Sequence, residues 1–265
     1  MINILKNSFI EILPKLAISQ FIGWGISIAI QNTTLVDVAW GFNHVLFAAA
    51  ASTGNFKDIS LLTSNPRKII GMMLISVWFA RLSGFLFKER IIKKHIDPRY
   101  TNLAEKRKMS KSIFALFQFQ FQGLLILFTG FSINYLFLNP AIAIGPLGYL
   151  GIATCLIGII GEAVADQQLQ NFKNTNTNPQ ATFRGGLFKN SRHPNLFFDI
   201  VFWTGISIYS LNPSNLLFTL PAFLGPISLY FIMAYVTIPI TQAHMRKKRP
   251  NYDQVLKETN KFLPF

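Results

Sequence analysis

Seven runs of apolar residues alternate with polar segments along the chain: 13–30, 35–51, 69–87, 113–132, 142–164, 195–211 and 216–239. A membrane-crossing helix needs about 20 mostly apolar residues, and each run reaches or approaches that length. The pattern predicts an all-α fold, a polytopic membrane bundle of about seven transmembrane helices forming one integral membrane domain over 1–265. The second and sixth runs are the shortest and carry polar residues. Two long polar segments, 88–112 and 165–194, and a polar tail, 240–265, separate or follow the runs. Other connections, such as Asn134–Pro140 and Leu211–Asn215, are short or apolar. Residues 1–15 hold Lys6, Glu11, Pro14 and Lys15 without a separate apolar core and cleavage site, so the first helix is expected to stay in the fold.

Composition sharpens this reading. Of 265 residues, 51% are hydrophobic and 14% charged, against about 25% charged in soluble domains. Disorder is excluded by that apolar content. The single Cys155 excludes a disulfide framework and a cysteine-built metal site, and no metal is expected. Lys and Arg number 25 against 11 acids, for a formal net charge of +14. A nucleic-acid binder would explain that charge but not the mean hydropathy of +0.35, so no nucleic-acid partner is expected.

The bases are distributed unevenly. Nine lie in 88–111, four in 165–194 and six from Arg246 onward, which makes 19 of 25. Five fall in the alternate segments (Lys6, Lys15, Lys57, Arg67 and Lys68), and Arg81 lies inside a run. By the positive-inside rule, seven helices place the N-terminus outside and the C-terminus in the cytoplasm. Function is then sought at the cytoplasmic mouth.

Ionisable groups inside a span cost about 2.5–3.5 kcal/mol each and need a partner or a task. In the second run, Asp37, Trp40 and His44 share one helix face. They form either a hydrogen-bonded structural cluster or a substrate or proton-transfer site. Arg81, in the third run, has three options: to reach the headgroups, to pair with Asp37, or to bind a phosphate. Gln118 and Gln122 share a face of the fourth run and read as packing contacts between helices. Glu162 and Asp166 stand four apart at the end of the fifth run, and their repulsion asks for a cation or a hydroxyl-rich ligand.

The densest constellation is Arg184-Gly-Gly-Leu-Phe-Lys-Asn-Ser-Arg-His-Pro-Asn195, followed by Asp199. Gly185 and Gly186 permit a tight turn, while Arg184, Lys189 and Arg192 add positive charge. Pro194 and Asn195 suit the first turn of a helix whose N-terminal dipole favours an anion. The expectation is a phosphate cradle.

Here the sequence resembles the steroid 5-alpha-reductase C-terminal superfamily, in its bacterial branch of multi-spanning membrane proteins. The resemblance covers most of the chain. It rests on Asp37-Val-Ala-Trp-Gly41, Arg81 and Arg90, Asp97-Pro-Arg-Tyr100, Asp166, the Arg192-His193-Pro-Asn195 segment and the ending Arg249-Pro-Asn-Tyr252…Phe262-Leu-Pro264. It implies a bacterial inner-membrane protein with NADPH held at the cytoplasmic end. Cofactor contacts fall on Asp166, Lys173, Arg184, Gly185, Gly186, Arg192, His193, Asn195, Asp199 and Tyr252. Trp40, His44, Trp78 and Arg81 are the expected substrate contacts. Asp37 is the candidate for the acid that polarises a substrate carbonyl, and it would have to carry a proton to donate. The family's partner tyrosine has no counterpart on the third helix, where Trp78 stands nearby. Phe198 occupies a position where the family usually has glycine.

The implied activity is NADPH-dependent reduction of a conjugated C=C bond in a lipophilic small molecule of sterol, isoprenoid or acyl type, in contact with membrane lipids. Two other readings are an integral membrane methyltransferase using S-adenosylmethionine, whose Arg-His-Pro segments are similar, and a non-enzymatic lipid-binding protein or transporter. Oligomeric state is not legible in the sequence.

Overall fold

The computed structural model describes residues 2–53, 64–139 and 141–264. Lys57 and Pro140, which figure in the charge and loop expectations above, lie outside the described residues. Among these residues the chain is helical without a strand; one isolated parallel bridge joins Ser191 and Asn260. The helices are α1 (Ile2–Ala29), α2 (Leu35–Thr53), α3 (Pro66–Leu86), α4 (Pro98–Lys106), α5 (Lys111–Thr129) and α6 (Phe131–Leu138). They continue with α7 (Pro146–Thr175), α8 (Pro194–Ser210), α9 (Leu216–Thr219), α10 (Leu224–Ile232), α11 (Ile238–Lys248) and α12 (Tyr252–Glu258).

Local chemistry sets several boundaries. Asn65 caps α3, its side-chain oxygen accepting from the backbone N–H of Arg67 and Lys68 ahead of Pro66. Ser110 caps α5 in the same way through the Ile113 N–H. Pro146 and Pro194 open α7 and α8, where a missing N–H costs nothing.

Among the described residues, six helical runs are long and apolar enough to cross a membrane. Large apolar side chains such as Ile157, Ile160, Leu217 and Tyr235 stand exposed, as a lipid-facing surface requires. The expected sixth span is α8, and it differs in kind. Its 17 residues rise about 26 Å, and it is the buried axis of the bundle, with Phe202, Trp203, Ile206 and Tyr209 wholly enclosed. Its polarity follows from that place: Ser207 and Ser210 bond to neighbouring backbone rather than facing lipid.

At three places the helices do not coincide with the apolar runs and loops. The fifth span ends in hydropathy at residue 164, yet α7 runs on to Thr175. Side-chain bonds from Gln167 to Asn171 and from Gln170 to Asn174 support that polar extension, because hydropathy marks where lipid ends rather than where a helix ends. The expected loop 88–112 contains a π-helical turn, Phe87–Ile92, and α4. The last span, 216–239, is broken into short pieces. Pro221 lies in the first positions of a 3₁₀ turn (Leu220–Phe223), and a π-helical turn (Met233–Thr237) precedes Pro239, which lacks an N–H and displaces the preceding turn.

The α7–α8 pair is the most extensive helix contact, and glycine makes it close. A Cβ on Gly158 would stand 2.5 Å from the Phe202 backbone nitrogen. Gly151 and Gly205 meet the Tyr209 and Cys155 nitrogens at 2.6 Å in the same way. Small residues that let backbones touch are a recurring means of membrane helix association. Here they fix Glu162 and Asp166 on α7 against Asn195 and Asp199 on α8.

The base-rich segments meet at one end. Asn102 bonds His244, Arg184 pairs with Glu258, and Lys173 lies within electrostatic reach of Glu89, Arg90 and Asp97. At another connection Arg67 is buried beneath the backbone of Ala143 and of 209–211. Its guanidinium donates to the carbonyls of Ala143, Tyr209 and Leu211 and stacks on the Tyr209 ring. It therefore caps the C-terminus of α8.

Candidate active site at the polar end of the bundle

Two ionic clusters occupy this end. The first surrounds Asp37 on the opening turn of α2. Arg90, from the π-helical turn, forms an ion pair with Asp37 and lies 3.6 Å from Asp97. Tyr100 on α4 donates its hydroxyl proton to Asp37 Oδ1, and Gln122 on α5 donates to the same oxygen at 3.3 Å. Asn32 holds the Arg90 carbonyl at 2.9 Å, which ties the α1–α2 turn to the arginine.

This arrangement changes two sequence expectations. Arg81 was one candidate partner for Asp37, but Arg90 takes that place. The expected proton donor was Asp37, yet an ion-paired carboxylate only accepts hydrogen bonds. The hydroxyl of Tyr100 is the donor present. Tyr100 belongs to the Asp97-Pro-Arg-Tyr100 motif and was missed because the tyrosine was sought on the third helix. Pro98 at the start of α4 was the available signal, since it begins a short helix that turns Tyr100 back toward α2.

The second cluster surrounds Arg81 on α3. Its guanidinium bridges Glu162 and Asp166, the latter at 2.9 Å, and so supplies the cation their spacing demanded. Asn195 donates to the other Asp166 oxygen at 3.2 Å, and the Trp78 indole N–H donates to Asp199 at 3.2 Å. Lys173 lies within electrostatic reach of Asp166 as well as of Asp97 and so stands between the clusters. Asp166, Lys173, Asn195 and Asp199, expected together, are thus brought together, and Arg81 and Trp78 join them from the expected substrate set.

His44 and Trp40 sit apart from these charges. His44 Nδ1–H donates to the Trp40 carbonyl and Nε2 accepts from Thr129, both at 2.8 Å. Its ring packs against Trp40, Trp78 and Trp203, with centroids 4.7–5.4 Å apart. With both nitrogens satisfied and no exposed surface, His44 serves the aromatic core.

The expected phosphate cradle has a different use. Arg192 donates to the Leu256 and Thr259 carbonyls at 2.7 and 2.5 Å, capping the C-terminus of α12. The backbone of residues 190–192 pairs with Asn260, and the Ser191 hydroxyl donates to the Phe262 carbonyl. His193, buried, follows this pairing with its N–H on the Ser191 oxygen. Gly186 adopts φ +52° with the Gln168 side chain 2.4 Å from where its Cβ would be, and Gln168 accepts from the Leu187 N–H. Gly185 meets the Phe183 ring. The glycines seat the loop on α7, and the arginine latches the tail. Phe198 likewise fills the space above Gly161.

Around this latch, Arg184 pairs with Glu258 at 2.7 Å. Hydrogen bonding from Gln254 and Arg184 holds the Glu258 carboxyl below its ordinary pKa. Tyr252 is buried, and burial raises its hydroxyl pKa against the opposing pull of Arg192, Arg249 and Arg246.

Residues 23–259 match the family profile described as protein of unknown function, DUF1295, and the chain belongs to that family. No curated protein and no solved structure gave a match.

Proposed function

We propose that this member of the family is a membrane reductase that uses NADPH to saturate a C=C bond conjugated to a carbonyl in a lipophilic substrate. The observation that carries the reading is the Tyr100–Asp37–Arg90 triplet, a hydroxyl donor held by an ion-paired carboxylate at the polar end of an apolar bundle. It matches the acid and tyrosyl groups that the resemblance to the steroid 5-alpha-reductase superfamily calls for. The charge asymmetry of the loops favours a cytoplasmic-facing site.

The donor set at this end suits the cofactor. The Nε atoms of Arg81, Arg192 and Arg249 are buried without a hydrogen-bond acceptor among the described residues. A ligand rich in phosphate and ribose oxygens supplies what such donors lack. Asp166, Lys173, Asn195 and Asp199 would hold it. When bound, NADPH provides the hydride for the β-carbon.

Tyr100 has the remaining task. A substrate carbonyl oxygen gains negative charge as its β-carbon is reduced, and a hydroxyl already in place stabilises that charge. When Tyr100 turns its proton to that oxygen, Asp37 keeps Arg90 and Gln122 as partners. The turn therefore exposes no unpaired buried carboxylate. Arg90 in turn keeps Asp37 an acceptor that orients the phenol.

The test uses the full chain in nanodiscs with a panel of lipophilic enones. Wild type is expected to oxidise NADPH with at least one of them, and Tyr100→Phe to lower kcat by roughly 10²–10³-fold. NADPH should also raise the unfolding temperature, as a ligand of the native state does. No oxidation across the panel together with stabilisation by S-adenosylmethionine instead of NADPH would reject the reductase in favour of the methyltransferase.

A further inference from the structure

A cleft of about 360 Å³ opens between residues 178–184, which follow α7, and residues 249–255, which begin the tail. That volume lies within the usual range of small-molecule sites, about 300–1,000 Å³. Asn178, Gln180, Asn251 and Gln254 line it with side-chain amides, and Arg184 and Arg249 with guanidinium groups. No aromatic ring lines it, so it has no platform on which a base could stack.

Its charges are unbalanced. The nearby acids are committed, Glu258 to Arg184 and Asp253 to Arg246. Arg249 forms no ion pair among the described residues, and its Nε is buried without an acceptor. Arg192 beside it is spent on two carbonyls. A surplus guanidinium with an unmet donor, ringed by amides that both donate and accept, fits a phosphate monoester on a hydroxylated ring. Gln254 already donates to Glu258 and Asn178 accepts from the Gln180 N–H, so an inorganic anion alone would leave the side-chain amides of Gln180 and Asn251 unused.

The position also fits. From Asp166 to Thr175 the axis of α7 rises about 14 Å, and the chain then passes through Asn178 into the cleft. The Arg81 cluster and the cleft are thus joined by the polar end of α7, along which an elongated ligand such as a dinucleotide can lie. Building on the NADPH reading above, we infer that this cleft takes the ribose 2′-phosphate of the cofactor and thereby selects NADPH over NADH. Arg249 is the main phosphate ligand, Arg184 is its neighbour held in place by Glu258, and the amides meet the ribose.

The experiment measures binding of NADPH, NADH, adenosine 2′,5′-bisphosphate, 5′-AMP and inorganic phosphate to the purified full chain in nanodiscs of neutral lipid. Wild type is expected to prefer each 2′-phosphorylated compound over its counterpart by roughly 10–100-fold, the range of a charge-assisted phosphate contact. Arg249→Gln should collapse that preference by weakening only the phosphorylated ligands. Asn178→Asp, at an exposed position that leaves the packing untouched, should weaken them in the same direction. Arg249→Lys should restore part of the preference.

A preference that survives both Arg249→Gln and Asn178→Asp overturns the assignment while leaving the dinucleotide reading intact. Inorganic phosphate competing as well as the bisphosphate also overturns it. Arg249-dependent bisphosphate binding without binding of either dinucleotide keeps the cleft and rejects the reductase. Binding of none of them rejects both.

Discussion

Replacing Arg81 with Gln tests the electrostatics on which the inner cluster depends. Glu162, Asp166 and Asp199 are 4%, 8% and 5% exposed, and Arg81 contacts the first two directly. Asp199 is left with the Trp78 indole. A glutamine offers two neutral N–H donors in place of a delocalised positive charge. The variant then holds three enclosed acids without the guanidinium between them. Removing one partner of a buried pair costs about 3–5 kcal/mol, because the other charge stays desolvated. At about 2–4 °C per kcal/mol for a chain of this size, the unfolding midpoint should fall by roughly 6–20 °C in mild detergent. A second change, Glu162→Gln, removes one of the stranded charges. If the penalty is electrostatic, the pair Arg81→Gln/Glu162→Gln must be more stable than Arg81→Gln alone, a coupling that a double-mutant cycle reads directly. A midpoint within about 2 °C of wild type, or strictly additive changes in the cycle, would refute this account of the cluster.

Gly158→Ala should lower the midpoint by an amount equivalent to about 1–3 kcal/mol, since its Cβ meets the Phe202 backbone and backbone cannot move aside. Gly84→Ala, where nothing lies within 4 Å, should instead be neutral or stabilising by up to about 1 kcal/mol, and both are read by thermal unfolding. Arg67→Lys should destabilise nearly as much as Arg67→Met, because one ammonium cannot reproduce a fork that serves three carbonyls. The pH dependence of the tail latch has a defined sign at each end. Glu258, depressed in the fold, stabilises above the ordinary glutamate pKa of about 4.3 and loses that contribution as pH falls, so Glu258→Gln should flatten the acid limb of a midpoint-against-pH curve. Tyr252, raised in the fold, stabilises below the ordinary tyrosine pKa of about 10 and loses that contribution as pH rises, so Tyr252→Phe should flatten the alkaline limb.

The apolar runs made the helices legible because desolvation dictates composition over 20 residues at a time. They could not reveal that α7 continues to Thr175, since a helix leaving lipid changes its side chains and keeps its backbone bonds. The Glu162/Asp166 spacing announced a cation, and Arg81 proved to be it, a case where local geometry alone defines the need. The identity of that cation was not legible, because pairing across helices depends on the α7–α8 approach that Gly158 and Gly151 permit. The same limit hid Tyr100. Its motif was visible, but nothing local says that α4 folds back onto Asp37. At Arg192 the composition left two uses open. A cation beside two glycines and a helix start has the chemistry of a phosphate site, yet the carbonyls of α12 present the same negative charge to it.

That ambiguity explains why the basic residues cannot be treated as one population. Lys88, Lys93, Lys94, Lys106, Lys108, Lys189, Lys247 and Lys248 are exposed, and a positive charge in water beside a headgroup is all that topology requires. Four arginines instead meet shared or enclosed acceptors: Arg67 on three carbonyls, Arg192 on two, Arg81 between two acids and Arg90 between Asp37 and Asp97. A planar group with five donors satisfies such sets, whereas an ammonium does so poorly. The bases therefore divide by surroundings: the exposed ones, with Arg107, Arg184 and Arg246 among them, suit sidedness, and the enclosed arginines build the structure. Among the described side chains, Arg249 has an unmet buried donor and no ion pair. Arg67, Arg81 and Arg192 also leave an Nε unmet, but their terminal nitrogens are already engaged.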